Sequence, residues 1–428
     1  MTNEELCFRF PLFRFGALAY PARMASENLP PPPAVDPQHW LLDRDIIFLN
    51  HGSFGACPRR VLEVQNEWRE RMERQPLQFL ARELEPQLDA ARAALAHFVG
   101  ANSEDLVFVP NATQGVNTVL RSLAFQSGDE LLVTDQEYNA CRNALEFVAE
   151  RSGARVVVVN LPFPVSDAEE IVAPILAGVT PRTRLALVDH VTSQTGMVLP
   201  IARVVAELNR RGVDTLVDGA HAPGMVPLNL TQLDAAYYSG NCHKWLCAPK
   251  GAALLHVRRD RQPLIRPLTI SHGANSARTD RSRFLLEFGW QGTFDHAAFL
   301  SVPEAIRFLG SLLPGGCPAV MVANRSLALA ARKILCASLQ IPEPCPAEFI
   351  GSLAAVPLPE AAPDAWPRLP INEYPLQDAL RESHRIEVPI VSWPAPPKRV
   401  VRISAQLYNS LPQYEFLARM LVRELAKA

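Results

Sequence analysis

Short apolar runs alternate with longer stretches in which apolar residues recur at helical spacing, from about residue 60 to residue 260. Short runs bounded by turn residues predict buried strands, and helical spacing predicts amphipathic helices. Their alternation favours an α/β fold with a mainly parallel, doubly wound sheet. The predicted strands are Leu106–Val109, Glu130–Thr134, Arg155–Val159, Leu185–Asp189, Thr215–Asp218, Ala235–Ser239 and Ala252–Val257. The predicted helices are Val61–Glu73, Leu84–Phe98, 111–125, Tyr138–Arg151 and Ile201–Arg211.

The pattern changes after Pro314-Gly315-Gly316 and predicts a smaller α+β C-terminal domain. A stretch rich in Pro and Ala, Pro342–Pro370, separates a predicted helix from two strand-like pieces and a final helix. These elements are the helix Asn324–Leu339, the strands Glu387–Val391 and Val400–Ile403, and the helix Leu411–Lys427.

Three segments follow from these patterns. Residues 1–40 contain Pro30-Pro31-Pro32-Pro33 and are expected to be a flexible N-terminal extension, because a polyproline run favours an extended chain without a packed core. Residues 41–310 are expected to form the large domain, whose first segment is a candidate to join the small domain. Residues 311–428 are expected to form that small domain.

Composition and charge exclude several classes of function. The chain carries 42 basic and 44 acidic residues, a net charge of −2, so no global surplus drives binding to nucleic acid or to anionic membranes. No apolar run of about 18 residues predicts a membrane span, and none near the N-terminus has the form of a secretory signal. The eight cysteines are scattered without a CxxC pair, so we expect a cytoplasmic protein and no metal site.

Candidate chemistry lies at the predicted strand ends. Asp218 closes one apolar strand, and Lys244 follows another, in a segment that also contains Asn241 and His243. In a doubly wound sheet, ligands bind beyond the carboxyl ends of the strands. A structural ion pair or a solvated lysine at a strand end is the plainer alternative for such a pair.

One cofactor requires such a pair. A pyridoxal 5′-phosphate enzyme needs a lysine that forms a Schiff base and a carboxylate that keeps the ring nitrogen protonated. It also needs a phosphate cradle, for which a helix N-terminus is suited, and the cap-forming run Asn111-Ala112-Thr113-Gln114 provides one. Tyr138, shortly after a predicted strand, is placed to stack on the ring.

Six motifs follow one another along the chain. They are Phe48-Leu49-Asn50-His51-Gly52-Ser53-Phe54-Gly55, Asn111-Ala112-Thr113-Gln114-Gly115-Val116-Asn117, Asp218-Gly219-Ala220-His221-Ala222-Pro223-Gly224, Gly240-Asn241-Cys242-His243-Lys244-Trp245-Leu246, Trp290-Gln291-Gly292-Thr293-Phe294-Asp295 and Val401-Arg402-Ile403-Ser404. In this order they resemble the class V aminotransferase family of fold-type I pyridoxal-phosphate enzymes, and most of all its isopenicillin N epimerase-like branch. Each motif alone is weak, but six in the family's order are specific, and the resemblance spans about residues 45–410.

The resemblance implies a role for each matching residue at the cofactor. Lys244 would form the Schiff base, Asp218 would pair with the pyridinium nitrogen, His221 would lie near the ring hydroxyl, and Tyr138 would stack on the ring. Both residues also have a purely structural interpretation. His221 would be a histidine beside a turn whose hydrogen bonds are satisfied, and Tyr138 would pack on the core at the start of a helix. The phosphate would be bound by Ala112, Thr113, Asn241 and His243 and, across a homodimer with shared active sites, by the neighbouring subunit's copy of Thr293.

The resemblance also implies an amino-acid substrate. Arg402 would hold its α-carboxylate, for which a planar bidentate donor is suited. Asn50 and His51 would line the substrate pocket. Arg402 closes the basic run that begins at Lys398, so a surface charge is the alternative.

The family divides by reaction. Cysteine desulfurases need a nucleophilic cysteine on a loop downstream of the lysine, and neither Cys336, within a predicted helix, nor Cys345, bracketed by prolines, has that setting. Desulfurase activity is therefore disfavoured. Amino-acid epimerisation, carbon–sulfur β-elimination and transamination stay open, because all three share the Lys244 and Asp218 core.

A protein of another class is also conceivable on this fold. Loss of Lys244 or Asp218 would favour a non-catalytic binding protein, but both residues are present. A nucleotide-binding enzyme is disfavoured further, because the chain has neither a GxGxxG nor a GxxxxGK[ST] motif.

Overall fold

The structure is a computed structural model that describes residues 35–361 and 374–427. The predictions for the polyproline run and for the rest of residues 1–34 lie outside the described residues. The helices are α1 His51–Phe54, α2 Arg59–Arg74, α3 Pro76–Gln78, α4 Leu84–Phe98, α5 Ala112–Ser122, α6 Asn139–Ser152, α7 Glu169–Ala177, α8 Ile201–Arg210, α9 Leu230–Leu233, α10 Arg283–Gly289, α11 Ala297–Leu300, α12 Val302–Ser311, α13 Gly316–Leu339, α14 Pro375–His384 and α15 Leu411–Leu425. The strands are β1 Ile47–Phe48, β2 Leu106–Val109, β3 Glu130–Thr134, β4 Arg155–Val159, β5 Thr183–Asp189, β6 Asp214–Asp218, β7 Tyr237–Asn241, β8 Ala253–Val257, β9 Leu353–Leu358, β10 Ile386–Glu387, β11 Ile390–Ser392 and β12 Arg399–Ser404.

A seven-stranded sheet forms the centre of the fold, in the order β2-β8-β7-β6-β5-β3-β4. Strands β7, β6, β5, β3 and β4 pair in parallel, whereas β8 runs antiparallel to both of its neighbours. The prediction of an α/β fold with a mainly parallel sheet is confirmed. Because β3, β5, β6 and β7 are parallel neighbours, their carboxyl ends meet at one edge of the sheet.

Both faces of this sheet are covered, which is why its strands are apolar without interruption. Alternate residues of each strand face opposite sides. Thus Leu131 and Val133 of β3 pack in a core with α5 and α6, whereas Leu132 between them packs in the larger core on the other face. By the same alternation, the side chain at the end of each strand lies on one particular face of the central sheet.

Two small sheets complete the fold. β9, β12 and β11 form an antiparallel sheet with β12 in the centre. β1 pairs in parallel with β10, so Ile47 near the N-terminal end of the described chain lies opposite Ile386. This pairing joins the two ends of the described chain, while the division into domains stays a prediction.

Several element boundaries differ from the prediction. β9 was not predicted, because it lies within the Pro- and Ala-rich stretch; Pro357 is tolerated since β9 is an edge strand. The strand predicted at Glu387–Val391 is two strands, β10 and β11, which flank Pro389. β7 begins two residues later than predicted, at Tyr237, after Asp234 adopts a left-handed conformation with φ of 55°.

Two further observations concern the described residues. No single helix among them is long and apolar enough to cross a membrane; only the bent pair Ala297–Ser311 and Gly316–Leu339, with 68° between its halves, passes that test together. The cysteines that the structure describes are all free thiols.

Candidate active site

A cavity of about 350 Å³ opens at the carboxyl-terminal edge of the central sheet. This volume is within the range of small-molecule sites, roughly 300–1,000 Å³. Seven of the residues predicted from sequence line it together. They are Thr113, Tyr138, Asp218, His221, Asn241, His243 and Lys244.

Lys244 is partly buried, and its Nζ lies 3.0 Å from Nε2 of His221. Burial lowers the pKa of Lys244 to about 7, with the charge of Arg402 acting in the same direction. Lys244 is therefore substantially a neutral amine at neutral pH, which is the state that attacks a carbonyl carbon.

The ring of His221 is oriented by Trp245, whose indole Nε1–H donates to Nδ1 at 3.4 Å. An indole N–H can only donate, so we assign the imidazole proton to Nε2, from which it is donated to the lone pair of Lys244. Burial, reinforced by the charge of Lys244, holds the pKa of His221 well below its usual range. His221 is therefore a neutral imidazole that faces the largely neutral amine of Lys244.

Asp218 ends β6 and is 2% exposed. Its Oδ1 accepts the N–H of Ala220 at 2.9 Å, and its Oδ2 accepts the thiol of Cys141 at 3.1 Å. The pKa of Asp218 is raised, because the effect of burial exceeds the opposing effects of these two donors and of the charge of Lys244. The donors favour the ionised form, which a protonated pyridine nitrogen requires as its partner.

The N-terminus of α5 provides free donors beside this pair. Asn111 caps Gln114, and the Ala112 N–H donates to Oδ1 of Asn241 at 2.8 Å. Within residues 35–361 and 374–427, neither the N–H nor the hydroxyl of Thr113 has a hydrogen-bond partner. Nδ1 of His243 is buried and also unpartnered. Free donors at a helix start suit a phosphate group.

Arg402 of β12 does not line the cavity itself but contacts Ser53 and Ser193, which do. It is 5% exposed, and its guanidinium donates to the Ser193 carbonyl and, at 2.9 Å, to the Ser53 hydroxyl. Its Nε has no partner, and no carboxylate in the described part of the chain forms an ion pair with it. A buried guanidinium that lacks an anion is suited to bind a substrate carboxylate.

Besides Ala112 and Arg402, three residues with a predicted role do not line the cavity. His51 lies behind Lys244, with Nδ1 2.8 Å from the Tyr408 hydroxyl and Nε2 3.0 Å from the Lys244 carbonyl oxygen. Its ring supports the backbone of the lysine loop instead of lining the substrate pocket. Asn50 accepts the Ser53 hydroxyl and thereby acts on Arg402 through Ser53. Thr293 is exposed and does not reach this chain's own cavity.

Three residues at or next to the cavity were not predicted from the sequence as site residues. One is Cys141, the thiol that donates to Asp218. The others are Asp189 at the end of β5 and Glu137 after β3, both buried carboxyl groups with oxygens that have no partner. Atoms of Glu137, Cys141 and Asp218 lie within 4.8 Å of one another. Asp189 could have been found, since it closes a predicted strand just as Asp218 does.

The buried carboxyl group of Glu137 should make the stability of the protein depend on pH. Burial, and then the charges of Asp189 and Asp218, raise the pKa of Glu137 well above its usual range. A carboxyl group with a raised folded pKa stabilises the protein at low pH, and this contribution is lost as the pH rises above about 4.3, the unfolded value. In cofactor-free protein, Glu137→Gln should therefore raise the melting temperature above that of wild type at pH 8 and lose this advantage toward pH 4. If Glu137→Gln raised the melting temperature by the same amount at pH 4 and at pH 8, the raised pKa of Glu137 would be contradicted.

The residues fit one cofactor. A largely neutral amine, a carboxyl group at the neighbouring strand end and a helix start with free donors meet the three requirements of pyridoxal 5′-phosphate: Schiff base, ring-nitrogen partner and phosphate cradle. Thr113 and His243 line this cavity, and Arg402 contacts its wall at Ser53 and Ser193. Each of the three has a polar atom without a partner among the described residues, which is suited to a ligand with anionic groups. On this fold, such a cavity defines a pyridoxal-phosphate enzyme of fold type I.

Comparisons with known proteins agree. The family model "Aminotransferase class-V" matches residues 48–342. The chain therefore belongs to the class V aminotransferase family, and its cofactor is pyridoxal 5′-phosphate.

Two curated relatives cover most of the chain. An isopenicillin N epimerase of Amycolatopsis lactamdurans is 37% identical over 90% of this chain and 96% of its own length. A probable chloroplastic L-cysteine desulfhydrase of Arabidopsis thaliana is 33% identical over 88% of this chain and 82% of its own length.

A solved structure shares the fold. A mutant of a cystine C–S lyase, with glycine covalently linked to its pyridoxal phosphate, superposes with a TM-score of 0.72 at 22% identity. It covers 88% of this chain and 96% of its own. At this identity the likeness shows the fold alone, and fold type I is confirmed.

Neither of the two downstream cysteines is suited to persulfide chemistry. Cys336 is buried in α13, where burial raises its pKa to about 11. Cys345 is also buried, and its sulfur contacts Arg332. Neither lines the cavity. The structure gives no support to a desulfurase mechanism through either thiol.

Proposed function

We propose that this enzyme is an amino-acid epimerase of the isopenicillin N epimerase type, which removes and returns the proton at Cα of its substrate. The observation that supports an action at Cα is the buried guanidinium of Arg402, which has no ion-pair partner among the described residues, contacts Ser53 and Ser193 in the cavity wall, and lies close enough to Lys244 to lower its pKa. A free α-amino acid presents its carboxylate next to the carbon that loses its proton. The 37% identity to an isopenicillin N epimerase over most of both chains favours epimerisation.

The residues divide the work as follows. The bound cofactor supplies an electron sink for charge that develops at Cα. Asp218, whose ionised form is favoured by the hydrogen bonds from Ala220 and Cys141, would stabilise a positive charge at the ring nitrogen. Arg402 fixes the carboxylate and so the orientation of the Cα–H bond. Lys244, with a pKa of about 7, can accept a proton and give it back near neutral pH.

A second candidate is carbon–sulfur β-elimination from a cysteine-derived amino acid. The observation that favours it is the 33% identity to a probable L-cysteine desulfhydrase over 88% of this chain. Removal of the Cα proton begins both reactions, so the same residues serve both. Transamination has the same beginning and remains the third candidate.

One assay separates the three reactions. The enzyme is incubated in deuterated water with single α-amino acids, including S-substituted cysteines. An epimerase produces the mirror-image amino acid with deuterium at Cα. A β-lyase releases pyruvate, ammonia and a thiol. An aminotransferase releases more than one equivalent of 2-oxo acid per active site only when an amino acceptor is supplied. Keto acid and thiol without any mirror-image product would refute the epimerase proposal.

Arg402 carries a specific prediction. Arg402→Lys keeps the positive charge but loses the planar, two-pronged contact. The loss of such a charge-assisted contact costs about 2–3 kcal/mol, or roughly 30- to 150-fold in kcat/KM for every α-amino acid. The rate with an amine that has no carboxylate should change little. Equal kcat/KM values for variant and wild type with amino acids would remove Arg402 from the site.

We propose further that the enzyme is a homodimer with shared active sites. Thr293 is exposed outside this chain's cavity, and large apolar side chains near it in sequence are exposed as well: Leu268, Ile270 and Phe294 at 39%, 57% and 43%. Exposed apolar patches mark interaction surfaces. Dilution that produces monomer should therefore release the cofactor, as sedimentation and absorbance would show together. A monomer that retains the cofactor and full activity would refute this proposal.

A further inference from the structure

Three carboxyl groups lie side by side at the carboxyl-terminal edge of the sheet. Glu137 follows β3, Asp189 ends β5 and Asp218 ends β6, and these strands are direct neighbours in the order β3-β5-β6. Asp189 and Asp218 are partners in the β5–β6 register. Leu187 and Leu216, two residues earlier in each strand, both pack in the core with α5 and α6. By strand alternation, both aspartates therefore face the side of the sheet that Cys141 of α6 occupies.

These groups are buried without a compensating cation in contact. Asp189 is 2% exposed, Asp218 2% and Glu137 4%, and none forms an ion pair within residues 35–361 and 374–427. The positive charges that act on them are those of Lys244, on both aspartates, and of Arg142, on Glu137. Three adjacent carboxylates cannot all ionise in such surroundings, because desolvation and mutual repulsion both favour the neutral acid.

The hydrogen bonds decide which group keeps its charge. Asp218 receives the Ala220 N–H and the Cys141 thiol, and both favour its ionised form. Asp189 has no such pair of donors, and its Oδ2 is buried and unpartnered. Burial, and then the charge of Asp218, raise the pKa of Asp189 well above its usual range. Asp189 lines the cavity, whereas Glu137 does not.

We propose that Asp189 is a further ligand-contacting residue of this site, a protonated carboxylic acid that donates a hydrogen bond to an acceptor atom of the bound pyridoxal ring. Asp218 is then the single ionised carboxylate beneath the ring. The inference rests on the cofactor assigned to this cavity and is independent of the reaction that the enzyme catalyses. It also explains why a buried carboxyl oxygen faces a polar cavity without a partner.

The test compares Asp189→Asn with Asp189→Ala. An amide keeps the size and a neutral donor, whereas alanine removes the donor. Absorbance titration of cofactor-free protein with pyridoxal 5′-phosphate should give a Kd for the Asn variant within about threefold of wild type. The Ala variant should bind roughly 5- to 10-fold more weakly, the effect of one hydrogen bond. The pH dependence of Kd between pH 6 and 8 should be the same for Asn and wild type.

Two results would overturn the proposal. If Asn binds as weakly as Ala, or if its pH dependence differs from that of wild type, Asp189 acts as an ionised carboxylate. If both variants bind like wild type, Asp189 does not contact the ligand. Should the Ala variant fail to fold, as judged from its thermal melting, the comparison of Asn with wild type decides. A wild-type protein that does not bind the cofactor at all would instead refute the proposed function.

Discussion

Lys244→Ala should lose at least about 10⁴-fold in kcat, because this change removes the covalent attachment and the group that handles the Cα proton together. Pyridoxal 5′-phosphate should still bind, since Asp218 and the start of α5 are unaffected. It should bind without the absorption band of a protein Schiff base. Steady-state kinetics and the visible spectrum measure the two effects separately.

Lys333→Ala is the matched control for this variant. Lys333 is an exposed residue of α13 and does not line the cavity. The control should retain both the wild-type rate and the wild-type spectrum. A Lys244→Ala variant with turnover within tenfold of this control would reject Lys244 as the catalytic lysine.

Asp218→Ala should have the second largest effect. Without the carboxylate, the ring nitrogen loses the charge that keeps it protonated, and the electron sink is weakened. Removal of a preorganised electrostatic partner costs roughly 10²- to 10³-fold in kcat. The loss should persist when the cofactor is saturating, which stopped-flow or steady-state rates at high cofactor concentration can establish.

Asp218→Asn distinguishes the effect of the charge of Asp218 from the effect of its size and shape. The amide is of equal size and can still accept the Ala220 N–H, but it cannot hold a pyridinium charge. Its kcat should fall nearly as far as that of Asp218→Ala. Near-normal turnover of the Asn variant would mean that Asp218 acts by position and hydrogen bonding alone.

The sequence was sufficient to predict seven of the residues that line the candidate site, for a topological reason. Asp218, Asn241 and Lys244 lie at or just after the ends of strands, and the carboxyl ends of parallel neighbours meet at one edge. Apolar runs thus located the strands, and the residues after them located the cavity. The same rule applied to Leu185–Asp189 would have added Asp189, which no motif of the family marked.

Other features depend on packing that no local pattern contains. His51 lies in a motif that resembles the family's, yet its ring lies behind Lys244, between Trp245 and Tyr408. Tyr408 is 357 residues distant in sequence. Likewise, β9 is stabilised by six residues of pairing with β12, and its Pro and Ala content conceals it in the sequence.

The most direct test of the account is chemical labelling of the cofactor's attachment site. Holoenzyme is reduced with borohydride, which fixes the cofactor on the lysine that holds it, and the digested protein is mapped by mass spectrometry. The account predicts that the label is found on Lys244 in the peptide that contains Trp245. A label on another lysine, such as Lys250, or the absence of any fixed cofactor, would contradict it.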